Sequence, residues 1–369
     1  MKEGWEYKKL GEVCSIRTGK LDVNAQDPEG EYPFFTCDSK PYLINTYAFD
    51  EEAILISGNG SKVGHIHYYN GKFNAYQRTY VLTNFNYISP LFLSKFLKGY
   101  LRDHIFASKK GGCIPFITLP LLKNFVIPVP PLEEQKRIVE ELDLLSGIIE
   151  KQKQQLKELD TLAQSIFYDM FGDPVTNEKG WEIKKLGEIG TFQRGGGFLK
   201  KDFVDYGVPC IHYGQIHTKF GPFSKKNLSY ISQETAQKSK FAFPKDIIIA
   251  ITSEDVEGSC KSVAWLGNEK VAVGGHSAIF SHNQNPIFIA YYMRTNAFNA
   301  EKAVYAHGFK VVEIKPTEIA KINIYLPPLH LQDVFEEAIF NLEKQKADIT
   351  KSIEETQKLF DYTMDKYFG

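Results

Sequence analysis

The side chains of this chain that could perform chemistry are scattered, and their spacing matches none of the common catalytic or metal-binding motifs. The run Gly58–Lys62 has the glycines of a phosphate-binding loop but not the G-x-x-x-x-G-K-[ST] spacing that places a lysine on a phosphate. His65 with His67, and His212 with His217, would each need a third ligand nearby to hold zinc, and the sequence offers none. The sequence therefore predicts no catalytic residue, no metal site and no cofactor bound by this chain.

The composition is that of an ordinary folded protein, with 43% hydrophobic residues, 24% charged residues and a formal charge of −1. A length of 369 residues suggests two or three domains. We expect no membrane span and no export, because no run of about 18 apolar residues occurs and the first residues lack the apolar stretch of a signal peptide. Five cysteines without a C-x-x-C pair fit a reducing compartment, so a cytoplasmic location is expected.

An internal repeat organises the chain. Residues 4–20, GWEYKKLGEVCSIRTGK, match residues 180–196, GWEIKKLGEIGTFQRGG, at nine of seventeen positions. A second match pairs IPVPPLEEQ at 127–135 with IYLPPLHLQ at 324–332. The chain is therefore two copies of one unit, each a globular part followed by a long tail.

The globular parts have the pattern of β-structure. Short runs rich in Val, Ile, Tyr and Phe, bounded by Gly, Pro, Asn and Asp, predict strands at 53–57, 79–83, 246–251 and 277–281. Helical spacing of apolar residues predicts one short helix in each copy, at 89–103 and 286–298.

The tails have the pattern of long helices. Each follows a Pro-Pro pair and carries apolar residues at alternating spacings of three and four, the heptad pattern of a coiled coil. One helix of about 38 residues cannot bury such a stripe alone, so the two are predicted to pair with each other in antiparallel order. Gln152 and Lys346 fall on this seam and are predicted to set its register. The other residues predicted to pair the helices are Leu142, Leu145, Ile149, Leu156, Leu159, Ile339, Leu342, Ile349, Ile353 and Phe360.

The predicted fold class is thus α+β, with two mostly-β domains that contain short helices, two long helices in an antiparallel coiled coil, and a pseudo-twofold internal repeat. The predicted segments are 1–132, 133–174, 175–328 and 329–369. Charge divides along the same lines. Residues 1–132 hold 15 Lys and Arg against 12 Asp and Glu, and residues 175–328 hold 19 against 14. The two helical segments hold 5 against 10 and 5 against 9, so acidic helices mask basic globular parts.

This arrangement resembles the DNA-specificity subunit of type I restriction–modification systems. The resemblance is carried by a W-x-x-x-x-L-G-E segment at Trp5–Glu12 and Trp181–Glu188, and by a P-P-L-x-x-Q segment at Pro130–Gln135 and Pro327–Gln332. The acidic-aliphatic runs at 50–64 and 244–258 are also similar to that family. One departure is His330-Leu331, where the family usually has polar or acidic residues. The resemblance covers essentially the whole chain.

The resemblance implies that each globular part, 1–132 and 175–328, is a target-recognition domain for one half of a bipartite double-stranded DNA sequence. It implies that the helices fix the spacer between the half-sites. It also implies a subunit without activity of its own, assembled with two methylation subunits and with restriction subunits. S-adenosylmethionine and ATP are then expected only on those partner subunits.

General chemistry selects the residues expected to contact DNA. Lys and Arg neutralise phosphates, whereas Asn, Gln, Arg and short hydroxyl side chains on loops read base edges. In the first copy these are Thr36, Asp38, Lys40, Ser57, Asn59, Ser61, Lys62, Gln77, Arg78, Lys109 and Lys110. In the second copy they are Arg194, Lys200, Lys201, His212, Tyr213, Gln215, His217, Thr252, Ser253, His276 and Lys310.

Two other hypotheses remain open on the sequence alone. The chain could be a non-catalytic adaptor in which the paired helices and the β domains bind protein, or an enzyme whose site escapes motif analysis. Steep loss of DNA affinity with rising salt favours a DNA reader, and a flat response favours the adaptor. Methyl transfer by the purified chain alone would contradict the non-catalytic hypothesis.

Overall fold

The computed structural model describes residues 4–107, 116–308 and 310–369. They form two compact units. Unit 1 comprises residues 1–153 with 350–369, and unit 2 comprises residues 154–349. Each unit therefore contains one globular part and a segment of each long helix.

In unit 1, the globular part contains eight named strands and three named helices within its described residues. The strands are β1 Glu6–Lys9, β2 Ser15–Thr18, β3 Tyr32–Phe35, β4 Tyr42–Ile44, β5 Phe49–Ser57, β6 Ile66–Ala75, β7 Thr79–Thr83 and β8 Val126–Val129. The helices are α1 Leu10–Val13, α2 Pro90–Ala107 and α3 Leu119–Lys123. A long helix, α4 Leu132–Phe171, follows.

The globular part of unit 2 repeats this order with additional short elements. Its strands are β9 Glu182–Lys185, β10 Gly190–Arg194, β11 Phe203–Val204, β12 Val208–Ile211, β13 Phe223–Ser224, β14 Ser229–Ile231, β15 Lys240–Ala242, β16 Ile247–Ala250, β17 Thr252–Ser253, β18 Ser262–Trp265, β19 Val271–Val273, β20 Ser277–His282, β21 Val312–Glu313 and β22 Asn323–Leu326. Its helices are α5 Leu186–Ile189, α6 Tyr213–Thr218, α7 Gln233–Gln237, α8 Pro286–Tyr292, α9 Asn296–Ala303 and α10 Pro316–Ile319, and the second long helix is α11 Leu329–Phe368.

The predicted strands and long helices are present, which confirms the mixed fold with two repeated domains. The expectation of one short helix per copy was wrong. Unit 2 has two helices, α8 and α9, where one was predicted over 286–298. The break occurs because the Thr295 side chain accepts a hydrogen bond from Phe298 N–H and caps the second helix.

The main sheet of unit 1 has a divided counterpart in unit 2. In unit 1 the order is β2-β7-β5-β6-β3-β4, with β3 parallel to β6. In unit 2 the order β10-β20-β16-β18 is the same, but the equivalent of β6 is divided into β18 and β19. Strand β12 then pairs in parallel with β19, as β3 does with β6. The six-stranded sheet of unit 1 therefore corresponds to two five-stranded sheets in unit 2.

The central strands are apolar on both faces because each face is covered. In unit 1, Ile54 and Ile56 of β5 pack with helix α2, while Leu55 packs with Phe35 and Phe73 on the other face. In unit 2, Ile247 and Ile249 of β16 pack with α8, and Ile248 packs in a separate cluster. This explains why runs such as AILIS and DIIIAI are continuous rather than alternating.

The repeated LGE segment forms a short helix, α1 or α5, directly after the first strand of each globular part. Glu12 accepts a hydrogen bond from Lys9 N–H (3.0 Å), and Glu188 accepts one from Lys185 N–H (2.6 Å), so each short helix is capped in the same way. Strand β1 pairs antiparallel with β8, and β9 with β22. The first and last strands of each globular part are thus paired with each other.

The repeated glutamine of the P-P-L-x-x-Q segment joins each long helix to its sheet domain. In unit 1, Gln135 is fully buried, accepts from Ser89 N–H (2.6 Å), and donates to the carbonyls of Tyr87 (3.0 Å) and Pro130 (2.8 Å). Ser89 immediately precedes α2, so the side chain ties the start of α4 to the start of α2.

Gln332 makes the same connection in unit 2. It is fully buried, accepts from Asn285 N–H (3.0 Å), and donates to the Pro327 carbonyl (2.8 Å) and to Gln284 Oε1 (2.9 Å). Asn285 is the residue that caps α8. Because these buried backbone groups depend on one side chain, the glutamine fixes the position of the helix start.

In unit 1, the segment of α4 up to residue 153 lies antiparallel to the segment of α11 from residue 350. Gln152 Nε2 donates to Ser352 Oγ (2.7 Å), and Tyr367 OH donates to Glu141 Oε2 (2.7 Å). Leu142, Leu145 and Ile149 are buried. Ile353 and Phe360 are partly buried.

In unit 2, the remaining segments of the two helices are also antiparallel. Lys346 Nζ contacts Asp160 (2.6 Å) and Glu343 (2.7 Å), and the Phe167 ring lies 5.6 Å from that of Phe335. The hydrogen bonds to Asp160 and Glu343 outweigh burial and raise the pKa of Lys346. Among the predicted pairing residues of this unit, Ile339 and Leu342 are buried, and Leu156, Leu159 and Ile349 are partly buried.

The C-terminal end of α4 is capped by residues of the second repeat. Gly172 adopts φ +78°, a conformation that suits glycine and ends the helix. Trp181 Nε1–H donates to the Phe171 carbonyl (2.8 Å), and Tyr325 OH donates to the Gly172 carbonyl (3.0 Å). The repeated tryptophan therefore secures the junction between helix and domain.

Over the described part of the chain, the helices include none whose length and apolar character would allow it to cross a bilayer.

We predict that Gln332→Ala lowers the free energy of unfolding of unit 2 by about 2–4 kcal/mol, because the buried Asn285 N–H and Pro327 carbonyl lose their partner. Urea unfolding followed by circular dichroism measures the change. The matched control is Gln154→Ala, which removes an exposed glutamine bonded to Glu158 on α4 and should change stability by less than about 0.5 kcal/mol. Equal unfolding midpoints for the two variants would contradict the role assigned to Gln332.

Candidate nucleic-acid interface

In unit 1, three of the predicted DNA-contacting residues meet at the carboxyl end of β5. Gly58 N–H donates to the Arg78 carbonyl (2.9 Å), which brings the end of β5 against the turn before β7. Asn59, Gln77 and Arg78 line one hollow of ≈ 170 Å³. Two separate stretches of sequence, 58–59 and 77–78, therefore form one surface.

A second hollow of ≈ 320 Å³ in unit 1 is lined by Thr36, Asp38, Ser61 and Lys62, among others. Tyr42 OH and Ser39 N–H donate hydrogen bonds to the Asp38 carboxylate, and the backbone bond is the largest cause of its lowered pKa. The carboxylate is therefore ionised at neutral pH. Lys40 is exposed. Lys109 and Lys110 lie outside the described residues.

In unit 2, five predicted residues line one cleft of ≈ 760 Å³: Tyr213, His217, Thr252, Ser253 and His276. His217 Nε2 lies 3.0 Å from the Thr252 carbonyl oxygen. The rings of Tyr213 and His276 are 5.1 Å apart.

The two surfaces occupy equivalent positions in the two units. Gly58 N–H donates to the Arg78 carbonyl (2.9 Å) as Ile251 N–H donates to the His276 carbonyl (3.0 Å). Ile117 N–H donates to the Gly58 carbonyl (2.8 Å) as Ile314 N–H donates to the Ile251 carbonyl (3.0 Å). The matching hydrogen bonds make the following residues equivalent in the two units: Arg78 to His276, and Asn59 to Thr252.

Four of the predicted residues are buried. Thr36, Ser57, Thr252 and His212 are 3%, 1%, 6% and 9% exposed. Of these four, Thr36 and Thr252 still line the hollows described above, whereas Ser57 and His212 do not.

Other predicted residues of unit 2 are engaged within the protein or lie beside the cleft. Arg194 pairs with Glu313 (2.9 Å). Gln215 Oε1 accepts from His212 N–H (3.0 Å), and its amide donates to Ser229 Oγ (2.6 Å). Three lysines are exposed and are not among the residues that line the cleft: Lys200, Lys201 and Lys310.

The cleft of unit 2 also contains residues absent from the predicted set. Glu254, Asp255 and Glu257 line it together with Lys261. Asp255 Oδ1 accepts from Gly258 N–H (2.6 Å), which folds the acidic segment back on itself. The net positive charge of residues 175–328 gave no sign of this, although the run SEDVE at 253–257, which begins with the last residue of β17, was a usable signal.

The chemistry of these surfaces suits hydrogen bonding to base edges. Arginine pairs with guanine, asparagine and glutamine pair with adenine, and carboxylates accept from the amino group of cytosine. Unit 1 offers the first two types together with the Asp38 carboxylate, whereas the described lining of the unit 2 cleft offers carboxylates without arginine, asparagine or glutamine. Equivalent scaffolds therefore present different chemistry.

A family model and two curated relatives indicate the same family. The family model described as "Type I restriction modification DNA specificity domain" matches residues 2–160 and 178–358. The EcoDI specificity subunit of Escherichia coli is 41% identical over 155 residues, which are 42% of this chain and 34% of that protein. The MjaVIII specificity subunit of Methanocaldococcus jannaschii is 25% identical over an alignment of 396 positions that covers 96% of this chain and 91% of that protein.

Solved structures share the fold. The type I S subunit from M. genitalium superposes with a TM-score of 0.58 at 16% identity, covering 99% of this chain and 96% of that one. A chain from a study of complex assembly and conformational transition of the type I R-M system gives a TM-score of 0.63 at 19% identity, covering 100% and 98%.

We predict that acid weakens helix α6 at the edge of the cleft. His212 Nδ1 accepts from Gly214 N–H (3.2 Å) and needs a neutral ring to do so. Burial, with smaller contributions from His276 and Lys200, lowers the pKa of His212 from 6.5. Because a locally unfolded segment protonates first, the stabilisation is present above about pH 6.5 and is lost as pH falls below it.

Hydrogen exchange of the amides of residues 214–218 between pH 5 and 8, corrected for intrinsic rates, measures this effect. In the wild type, the protection factors of these amides should fall about 5- to 10-fold on acidification. His212→Asn keeps a capping acceptor without a titrating group and should lose none. Identical pH profiles for the two proteins would exclude His212 as the cause.

Proposed function

Because this chain belongs to the type I restriction modification DNA specificity family, we propose that it recognises a bipartite double-stranded DNA sequence, one half-site per globular part. The observation that carries the proposal is the equivalence of the two surfaces. The same backbone hydrogen bonds hold Arg78 and Asn59 in unit 1 and His276 and Thr252 in unit 2. Equivalent positions with different side chains are what two readers of different half-sites require.

We further propose that the long helices set the spacer between the half-sites. Each helix has one segment in unit 1 and the other in unit 2, and within each unit the two segments are antiparallel. A helix of 40 residues rises about 60 Å at ~1.5 Å per residue. Half-sites one helical turn apart on one side of the duplex are about 34–36 Å from centre to centre, which lies within that length.

The proposed partners are two methylation subunits together with restriction subunits. An exposed apolar patch on the helices of unit 1 supports such an assembly. Leu144, Ile148, Leu359 and Tyr362 are 66%, 36%, 51% and 67% exposed. Ile148 and Leu359 each precede a seam residue, so in an antiparallel pair they lie on the same side of the seam. Exposed apolar residues grouped on one helix face are typical of a protein interface.

We propose that the chain performs no chemistry itself, as the names of its relatives as specificity subunits suggest. S-adenosylmethionine and ATP would then bind to the partner subunits. Since the proposed ligand is chromosomal or invading DNA, the proposed location is the cytoplasm.

We predict that removing one heptad from each helix at opposed levels, residues 146–152 and 355–361, shortens the recognised spacer by about three base pairs. Seven residues correspond to about 10.5 Å of helix at ~1.5 Å per residue, and a base pair to about 3.4 Å. The seam keeps its phase because whole heptads are removed. Selection from a random duplex pool by the full-length chain measures half-sites and spacer together.

Removal of residues 146–152 alone is the control, because it leaves the partner helix unmatched and should abolish selection of a fixed spacer. A changed half-site sequence with an unchanged spacer would contradict the division of labour proposed for helices and globular parts. If the wild-type chain enriches no sequence and its DNA affinity does not fall with salt, the adaptor hypothesis is favoured instead.

A further inference from the structure

The six arginines of the chain differ in how they are engaged. Arg17 pairs with Glu51, Arg137 with Glu134 and Arg194 with Glu313. The other two engaged arginines also have partners: Arg102 lies over the Phe106 ring (5.5 Å), and Arg294 donates to the Ser262 carbonyl (3.0 Å).

Arg78 differs from these five. Across residues 4–107, 116–308 and 310–369, its guanidinium has no hydrogen bond, ion pair or ring contact, and the side chain is exposed. A guanidinium carries five N–H donors in a fixed planar fork. The protein therefore presents an unused bidentate donor in the unit 1 hollow that Asn59 and Gln77 also line.

The backbone of Arg78 is held more firmly than its exposure suggests. Its carbonyl accepts from Gly58 N–H (2.9 Å) and from the Cys37 thiol (3.5 Å). A Cβ at Gly58 would lie 2.3 Å from that carbonyl oxygen, so the close approach depends on glycine. The preceding Gln77 N–H donates to the Leu21 carbonyl (2.9 Å), and Thr79 N–H donates to the Tyr76 carbonyl (2.9 Å). A free guanidinium on a fixed backbone suits direct readout.

The surroundings of Arg78 favour a base contact over a phosphate contact. Asn59 and Gln77 line the same hollow and add amide groups of the kind that recognise base edges, the Gln77 amide donating to Asp22 Oδ2 (3.4 Å) in the free protein. In unit 2 the equivalent position is His276, and the nearby arginine, Arg194, is occupied by Glu313. The free arginine is thus a property of unit 1 only.

We propose that Arg78 donates paired hydrogen bonds to N7 and O6 of a guanine in the half-site read by unit 1. This inference rests on the proposed function. It goes further by assigning a residue to a base and by predicting that the two half-sites differ at the equivalent position.

The test uses the full-length chain and selection from a random duplex pool. The wild type should enrich a motif with an invariant guanine in one half-site. Arg78→Ala and Arg78→Gln should lose the preference at that position, keep the other half-site unchanged, and bind the best wild-type duplex about 10- to 100-fold more weakly. Arg78→Gln retains a long polar side chain, so agreement of the two variants, with unchanged melting temperatures, excludes misfolding.

Lys72→Ala is the matched control, because Lys72 pairs in register with Asp50 at the opposite end of β5 from Ser57. It removes one exposed cation and should leave the selected motif unchanged. Replacing the guanine with 7-deazaguanine supplies a second readout. This duplex should bind the wild type more weakly than the parent duplex does, but should bind Arg78→Ala equally well.

Equal weakening of all sequences by Arg78→Ala, with an unchanged motif, would overturn the inference and indicate a phosphate contact. Unchanged affinity and motif would overturn it as well. Both results leave a wild-type motif in place, whereas the absence of any wild-type motif is a failure of the proposed function itself.

Discussion

The structure depends on one constraint, which is that a long amphipathic helix cannot bury its apolar stripe alone. Helices α4 and α11 each run for 40 residues. In unit 1 the Gln152–Ser352 hydrogen bond, and in unit 2 the Lys346–Asp160 ion pair, show that the stripes face each other. The duplication supplies the second helix within the same chain. The remaining helix surface packs with a globular core, as Phe167 and Phe171 do with Phe288 in unit 2.

The identical residues of the two repeats serve this framework rather than recognition. Glu12 and Glu188 cap equivalent short helices. Gln135 and Gln332 join the start of each long helix to its globular part. Gly19 and Gly195 are also identical, and a Cβ at either would lie within 2.4 Å of a backbone oxygen. The candidate surfaces differ in side chain while their backbone bonds are the same. The two repeats therefore differ in sequence mainly at the surfaces where a ligand would bind, and they are identical mainly at residues that hold the framework together.

The sequence was sufficient for the repeat, the long helices and the central strands, because heptad spacing and apolar runs are strong local signals. It did not reveal the roles of Gln135 and Gln332, since a buried polar side chain is defined by distant backbone groups. The division of the unit 2 sheet was missed for a similar reason, because tertiary packing decides it. The break at Thr295 has a local cause, the capping hydrogen bond of Thr295, which the spacing of apolar residues over 286–298 does not record. The candidate surface was partly predictable from loop residue types. The burial of Thr36 and Ser57 and the pairing of Arg194 were not. The acidic lining of the unit 2 cleft had a local signal in the run SEDVE at 253–257.

We propose that the chain carries two different readers on one framework. Mapping methylated adenines across the genome that encodes this chain tests this proposal most directly, because the methylation pattern records what the assembled system recognises. We expect one bipartite sequence with two unequal half-sites and a fixed number of unspecified bases between them. A palindromic or continuous motif, or methylation that is unchanged when the gene for this chain is deleted, would contradict the account.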